Sequence, residues 1–192
     1  MTALLAFGVT ALMGFWLIPL LRKVKYGQTI LDIGPIWHKN KQGTPTMGGF
    51  LFIAGVLVAV TVGYLVYMSA GGGENEISPV FGTRLFAGVV MALAFAFLGF
   101  VDDYIKVVKK RNLGLTAGQK MVMQILIAAI YLIILYLAGD TSTVLRIPFI
   151  GSLDLGLFYY PVALFILIVG TVNAVNLTDG IDGLAGSVTF IA

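Results

Sequence analysis

The sequence predicts an all-α polytopic membrane protein, with five transmembrane helices, the start of a sixth, and the N-terminus outside. Three observations carry that reading. The 192 residues are 59% hydrophobic and only 11% charged, with a mean hydropathy of +0.99. An ordinary soluble domain is roughly 45–50% apolar and about 25% charged. The charges are gathered into short stretches between long uncharged runs, and 10 of the 12 basic residues fall in two of those stretches. A water-soluble globule cannot hide this apolar excess, which also excludes a disordered tail, a nucleic-acid binder and a secreted disulfide scaffold. The chain has no cysteine and one histidine, which excludes a thiolate or multi-histidine metal site.

The uncharged runs are residues 3–21, 47–73, 85–101, 121–139 and 155–178. A helix needs about 20 apolar residues to cross ~30 Å of hydrocarbon. Spans are therefore expected at about 3–21, 47–70, 85–101, 121–139 and 158–177, in one integral membrane domain over residues 1–192, with a sixth beginning near Leu184. The first loop carries Arg22, Lys23, Lys25, Lys39 and Lys41, and the third carries Lys106, Lys109, Lys110, Arg111 and Lys120. By the positive-inside rule both loops are cytoplasmic. Nothing basic precedes the first span, so a cleaved signal peptide is not expected. In the fourth, external loop, residues 143–149 and 153–158 read as two short strands about a turn at 150–152; an irregular loop is the alternative. No internal repeat or linker divides the chain.

This topology sends three polar segments, residues 38–49, 102–120 and 173–183, to one face. In the second, Asp102 and Asp103 directly follow an apolar run, and Lys106 lies four and three residues on, within reach of either on a continuing helix. Charge at the end of a span is costly and usually functional. Paired carboxylates offer hard oxygen ligands to magnesium, a nucleophile or a general base. An interfacial charge cluster marking a helix end is the plainer reading.

In the third segment Asn173, Asn176, Asp179 and Asp182 recur every third residue. At about 100° per residue the first and last point to opposite sides of a straight helix. They converge only if the helix breaks, and Gly180 and Gly183 supply the break. Asn173 and Asn176 are then expected on the last turn of span five, Asp179 in the turn, and Asp182 near the next helix start, where it could simply be an N-cap. In the first segment a basic stretch containing His38, Lys39 and Lys41 runs into a Gly/Pro/Thr turn that opens span two. Exposed amides at a helix N-terminus with nearby lysines suit a phosphate, although no Gly-Lys-Ser/Thr P-loop is present. Positive-inside lysines beside an ordinary turn are the alternative there. Lys106 and Lys120 could meet a substrate phosphate or serve topology alone. The set suits chemistry that joins a phosphorylated, water-soluble donor to a lipid phosphate, with most of the rate from positioning and electrostatics.

Residues 41–49 (Lys-Gln-Gly-Thr-Pro-Thr-Met-Gly-Gly), 100–106 (Phe-Val-Asp-Asp-Tyr-Ile-Lys) and 173–185 (Asn-Ala-Val-Asn-Leu-Thr-Asp-Gly-Ile-Asp-Gly-Leu-Ala) resemble the polyprenyl-phosphate N-acetylhexosamine-1-phosphate transferases. The resemblance runs in order along essentially the whole chain. The Gly-Thr-Pro-Thr-Met-Gly-Gly and Asn-Leu-Thr-Asp-Gly forms are similar to those of the bacterial members that use a UDP-linked N-acetylmuramoyl-pentapeptide. It implies transfer of the phospho-N-acetylmuramoyl-pentapeptide to undecaprenyl phosphate, releasing UMP and forming lipid I, with Mg2+ required and the site facing the cytoplasm of the bacterial inner membrane. Asp102 and Asp103 resemble the essential pair. One of them would deprotonate or orient the lipid phosphate; a covalent phospho-aspartate is the rival route. Asp102, Asp103 and Asp179 are the candidate metal ligands. Lys41, Thr46, Asn173, Asn176, Asp179, Gly180 and Asp182 resemble the nucleotide side of the site, and Lys106 and Lys120 phosphate contacts. A homodimer is compatible with the resemblance; a nucleic-acid partner is not.

Family members have about ten spans, and a later aspartate and a histidine-rich motif of theirs are absent from these 192 residues. The expectation is an N-terminal portion of a longer enzyme, with little or no activity by itself. A sister transferase using UDP-N-acetylglucosamine and an inactive membrane scaffold are the competing readings. A transporter fits less well, because the polar residues gather at one membrane face and not at the midplane. The absence of cysteine makes sidedness measurable: single cysteines at Lys41, Asp103 and Asp179 should all react with a membrane-impermeant maleimide from the cytoplasmic side. Reaction of any one from outside would overturn the predicted topology.

Overall fold

A computed structural model of the chain describes residues 1–23, 48–72, 79–109, 113–179 and 183–191. Among them are five helices long and apolar enough to cross a membrane: α1 (Thr2–Lys23), α2 (Gly49–Tyr67, running on as a π turn over Met68–Gly72), α3 (Pro79–Val108), α4 (Ala117–Leu137) and α5 (Gly156–Thr178). A two-stranded sheet, β1 (Val144–Ile147) and β2 (Gly151–Asp154), lies between α4 and α5, and α6 (Leu184–Ile191) follows α5. The chain divides into two compact units, one of residues 1–78 and 92–117, the other of residues 79–91 and 118–192.

In the first unit α1 packs on α2 through small residues. Leu51, Gly55, Ala59 and Gly63 recur every four residues and so form one stripe, and the first three are buried. A Cβ at Gly55 would collide with Thr10 and the Ala6 carbonyl, and one at Gly63 with the Thr2 methyl. The close approach lets the Thr10 hydroxyl donate to the Leu51 carbonyl at 3.4 Å. Lipid tails are as apolar as leucine, so helices in a bilayer associate through such close packing and not through a hydrophobic drive.

Helix α3 extends beyond the expected span at both ends. The uncharged run is residues 85–101, yet the helix has 30 residues, starts at Pro79 and runs unbroken through Asp102 and Asp103 to Val108. At 1.5 Å per residue it is roughly 45 Å long, well beyond the ~30 Å of hydrocarbon. Proline needs no helical N–H partner in the first turn, so it can open a helix.

In the second unit α4 ends two residues before the expected span does. Gly139 adopts φ 88°, its N–H donates to Tyr136, and the Asp140 N–H reaches back to the Leu135 carbonyl at 2.9 Å. This left-handed closure satisfies carbonyls that the helix leaves unpaired. Arg84 on α3 grips Asp140 with two hydrogen bonds, Nε to Oδ2 at 2.5 Å and Nη2 to Oδ1 at 2.6 Å.

The expected hairpin exists, but its turn is displaced from the expected one. Val144 pairs with Asp154 and Ile147 with Gly151, leaving residues 148–150 as the loop instead of 150–152. Proline is the reason. Pro148 has no N–H for the ladder and presets φ for the first corner of a turn. The Ile150 N–H closes that turn on the Ile147 carbonyl at 3.2 Å, with Phe149 at φ 67°. At the base, the Thr143 hydroxyl donates to Asp154 Oδ1 at 2.6 Å, and the Gly156 N–H donates to the same oxygen at 3.0 Å. These donors hold the Asp154 carboxyl below its ordinary range.

Span five is one continuous helix of changing register: a 3-10 turn at Gly156–Phe158, a short α segment, a π stretch over Val162–Gly170, and α again from Thr171 to Thr178. The π stretch begins directly after Pro161, whose missing N–H and ring interrupt the α ladder.

The Arg84 guanidinium, by hydrogen bonding first and charge second, holds the Asp140 carboxyl below its ordinary value. Its stabilising contribution is therefore full above the ordinary carboxylate range and disappears as pH falls through the lowered value. The pair is partly solvated, so screening limits it to about 1 kcal/mol. Asp140→Asn should lower the thermal midpoint of the detergent-solubilised protein at pH 7, and the difference should shrink as the pH falls below the ordinary carboxylate range.

Candidate active site

The site is best developed at the C-terminal end of α3. Asp102 and Asp103 are successive residues, about 100° apart around the helix. Lys106 lies between their directions and closes on both, with Nζ 2.7 Å from Asp102 Oδ2 and 3.1 Å from Asp103 Oδ1. The two carboxylates thus converge on one cation-sized point, held by an ammonium.

The environments of the pair differ sharply. Asp102 is 6% exposed, and its other oxygen, Oδ1, accepts the Leu115 N–H at 2.8 Å. Asp103 is half-buried and uses Oδ1 for Lys106; its Oδ2 makes no hydrogen bond or ion pair among the described residues. The sequence offers no ground for ranking the two. The structure makes Asp102 the anchored carboxylate and Asp103 the presented one.

Aromatic packing fixes the surroundings. Phe100 stacks on Tyr104 at 5.8 Å between ring centroids and takes an edge contact from Phe50 at 5.6 Å. Phe50 follows Gly48 and Gly49, the described end of the first polar segment, and Phe100 precedes the aspartates by two residues. Within this unit the described end of the first segment therefore lies near the start of the second. Offset and edge contacts of this kind contribute about 0.5–1.5 kcal/mol each beyond area burial. Lys41 and Thr46 lie outside the described residues, as do Gly180 and Asp182.

The described part of the third segment belongs to the second unit. Asn173 and Asn176 lie on the final α portion of α5, and Asp179 caps it, its N–H donating to the Val175 carbonyl at 3.1 Å. Gly183 at φ 78° then starts α6, so the helix break expected from the glycines is present at that position. Asn176 and Asp179 are exposed. Asn173 is not presented in the same way. Its Nδ2 donates to Gln124 Oε1 at 2.8 Å and to the Val169 carbonyl at 2.8 Å, and Gln124 Nε2 faces its Oδ1 at 3.5 Å. Gln124 is 5% exposed, so the pair is an interhelical amide clasp between α4 and α5. Sequence reasoning missed Gln124, although it is the only amide in residues 121–139 and a lone polar residue in a span is itself a signal. Lys120 sits in the first turn of α4, partly exposed.

Among the described residues no third acidic or histidine side chain joins a group able to hold a metal ion. What the α3 terminus offers by itself is a pair of hard oxygen donors facing one point, next to a cation able to meet a phosphate.

Residues 85–192 match the family model of glycosyl transferase family 4, and residues 41–53 match signature 1 of the phospho-N-acetylmuramoyl-pentapeptide-transferases. The chain is 47% identical to the phospho-N-acetylmuramoyl-pentapeptide-transferase of Heliobacterium modesticaldum, over 97% of the chain and 54% of that relative. It is 44% identical to the protein of the same name in Bacillus subtilis, over 100% of the chain and 55% of the relative, and 40% identical to that of Clostridioides difficile, over 99% and 54%. The chain thus spans about half the length of the curated relatives it matches.

Burying an amide without its partner costs more than removing both. Asn173→Leu should therefore destabilise the protein by about 1–2 kcal/mol, and Gln124→Leu by a similar amount. The double variant should recover part of the loss, giving a coupling of at least about 0.5 kcal/mol in a double-mutant cycle of unfolding in mixed micelles. Additive losses would show that the clasp does not exist.

Proposed function

The chain belongs to glycosyl transferase family 4, and from that premise we propose that the protein carrying it transfers phospho-N-acetylmuramoyl-pentapeptide from its UDP carrier to undecaprenyl phosphate, giving lipid I and UMP at the cytoplasmic face of a bacterial membrane. The observation that carries this reading is the signature match at residues 41–53, a stretch whose Phe50 meets Phe100, two residues before the aspartate pair. The matched relatives bear the name of that activity.

In the proposed reaction an oxygen of the lipid phosphate attacks the donor's β-phosphorus. A new P–O–P link forms, the bond from that phosphorus to the bridging oxygen breaks, and UMP leaves with the oxygen. Asp103, half-buried and with one oxygen outside any hydrogen bond or ion pair among the described residues, would take the proton of a monoprotonated lipid phosphate or orient it. Lys106 would exchange part of its contact with the carboxylates for a phosphate oxygen. Lys41, Thr46, Asn176, Asp179, Gly180 and Asp182 are assigned to the uridine diphosphate side, and Lys120 to a phosphate. The clasp with Gln124 gives Asn173 a supporting part, holding the helix that bears Asn176 and Asp179.

Magnesium fits this site: two carboxylates already converge on a single cation position, now taken by Lys106 Nζ. Asp103 would hold the ion, with Asp102 and Asp179 the further candidates, and phosphate oxygens and water would complete its shell. The ion would supply charge neutralisation for the pyrophosphate as the bridge breaks.

The native gene product in lipid nanodiscs, given undecaprenyl phosphate and UDP-N-acetylmuramoyl-pentapeptide, should release UMP in a Mg2+-dependent way. Release from UDP-N-acetylglucosamine instead would assign the protein to the sister transferases. Asp103→Asn should lower kcat by about 10²–10⁴; turnover untouched by it would sink the assignment of Asp103.

A further inference from the structure

We infer that residues 113–116 form a positioning strap for the aspartate pair, with Gly114 and the Leu115 N–H as its working parts and Asp102 as the residue through which it acts. The inference deepens the proposed function and rests on it for its consequence, but its geometry stands alone.

Residues 113–116 precede α4, which starts at Ala117, and Gly114 and Leu115 lie against Asp102. Leu115 donates its backbone N–H to Asp102 Oδ1 at 2.8 Å, a bond from thirteen residues along the chain. Such a hydrogen bond to a charged acceptor is about twice as strong as a neutral one. Gly114 makes it accessible. A Cβ at that position would overlap the Asp102 carboxylate and the Asp102 backbone carbonyl at once. No rotamer change relieves the second clash, because the obstructing atom is main chain. Gly114 therefore meets a demand for space, and no side chain can replace it without moving the loop.

The strap has an effect beyond its own contact. With Oδ1 fixed by Leu115, the Asp102 carboxylate plane is set and Oδ2 is aimed at Lys106, 2.7 Å away. Lys106 is thereby drawn to the Asp102 side, and its contact with Asp103 is the longer one, 3.1 Å. Asp103 keeps its second oxygen out of any hydrogen bond or ion pair among the described residues. Losing the strap would remove one of the bonds that orient Asp102 and let Lys106 shift toward Asp103. In the proposed reaction the strap thus acts through Asp102 as a positioning residue.

The experiment uses the native gene product in nanodiscs and two readouts, hydrogen–deuterium exchange of residues 113–116 and steady-state kinetics. Gly114→Ala should speed exchange of these amides by about tenfold or more, the size expected for loss of a charged hydrogen bond. It should lower kcat by about a hundredfold while KM for the UDP donor changes by less than about threefold, as for a displaced reacting group. Asp102→Asn, which keeps an acceptor for the Leu115 N–H, should retain the exchange protection, and Asp102→Ala should lose it. Wild-type exchange rates in both Gly114→Ala and Asp102→Ala would overturn the strap. If exchange responds but the wild-type protein releases no UMP, the strap stands and the proposed reaction falls. A Gly114→Ala variant with faster exchange and undiminished kcat would remove the positioning role.

Discussion

Adjacent carboxylates at the end of a membrane helix stay charged only if something compensates them where the hydrocarbon ends. Lys106 does so here, one turn beyond the pair and on the same helix. The length of α3 follows from that need. A helix that stopped at the last apolar residue, Val101, would leave the aspartates in an irregular loop without a fixed cation partner. Continuing to Val108 costs little, because each added residue brings its own backbone hydrogen bond. It places the charged turn beyond the uncharged run 85–101 while keeping it helical. The aromatic contacts of Phe100 with Phe50 and Tyr104 brace the same turn from the other side.

Lys106 is shared unevenly between the two carboxylates, 2.7 Å from Asp102 and 3.1 Å from Asp103. The buried member of the pair is held in place, since its two oxygens already serve Leu115 and Lys106. The more exposed member is engaged through one oxygen. Division of labour between chemically identical neighbours thus arises from burial and hydrogen bonding alone.

Much of this was legible in the sequence, and what was not has physical reasons. The five spans follow from the length of uncharged runs, because bilayer thickness sets a minimum that few other structures meet. Their ends do not follow, because helices end where backbone hydrogen bonds find other partners. α4 closes at Gly139 through a left-handed residue, while α3 ignores its first charged residues altogether. The hairpin turn falls at 148–150 and not at 150–152, because Pro148 imposes the corner and Gly151 serves as a ladder partner of Ile147. Asp103 and Lys106 could be read from spacing on a helix. The clasp of Asn173 with Gln124 and the contact of Gly114 with Asp102 join residues 49 and 12 positions apart. Nothing in local periodicity encodes either.

The placement of glycine in this chain separates two uses that composition merges. At Gly139 and Gly183 the backbone takes a positive φ, and the residue ends one helix or starts another. At Gly55 and Gly114 the conformation is ordinary and the demand is for space: one lets a neighbouring helix approach, the other lets a main-chain amide reach a carboxylate. The two uses predict opposite tolerance. An asparagine can occupy a left-handed position at modest cost, because its short side chain still permits positive φ. It cannot occupy a position whose Cβ has nowhere to go. The pattern of substitutions a glycine accepts therefore reports which constraint acts on it, and at Gly114 that constraint comes from the carboxylate the site is built around.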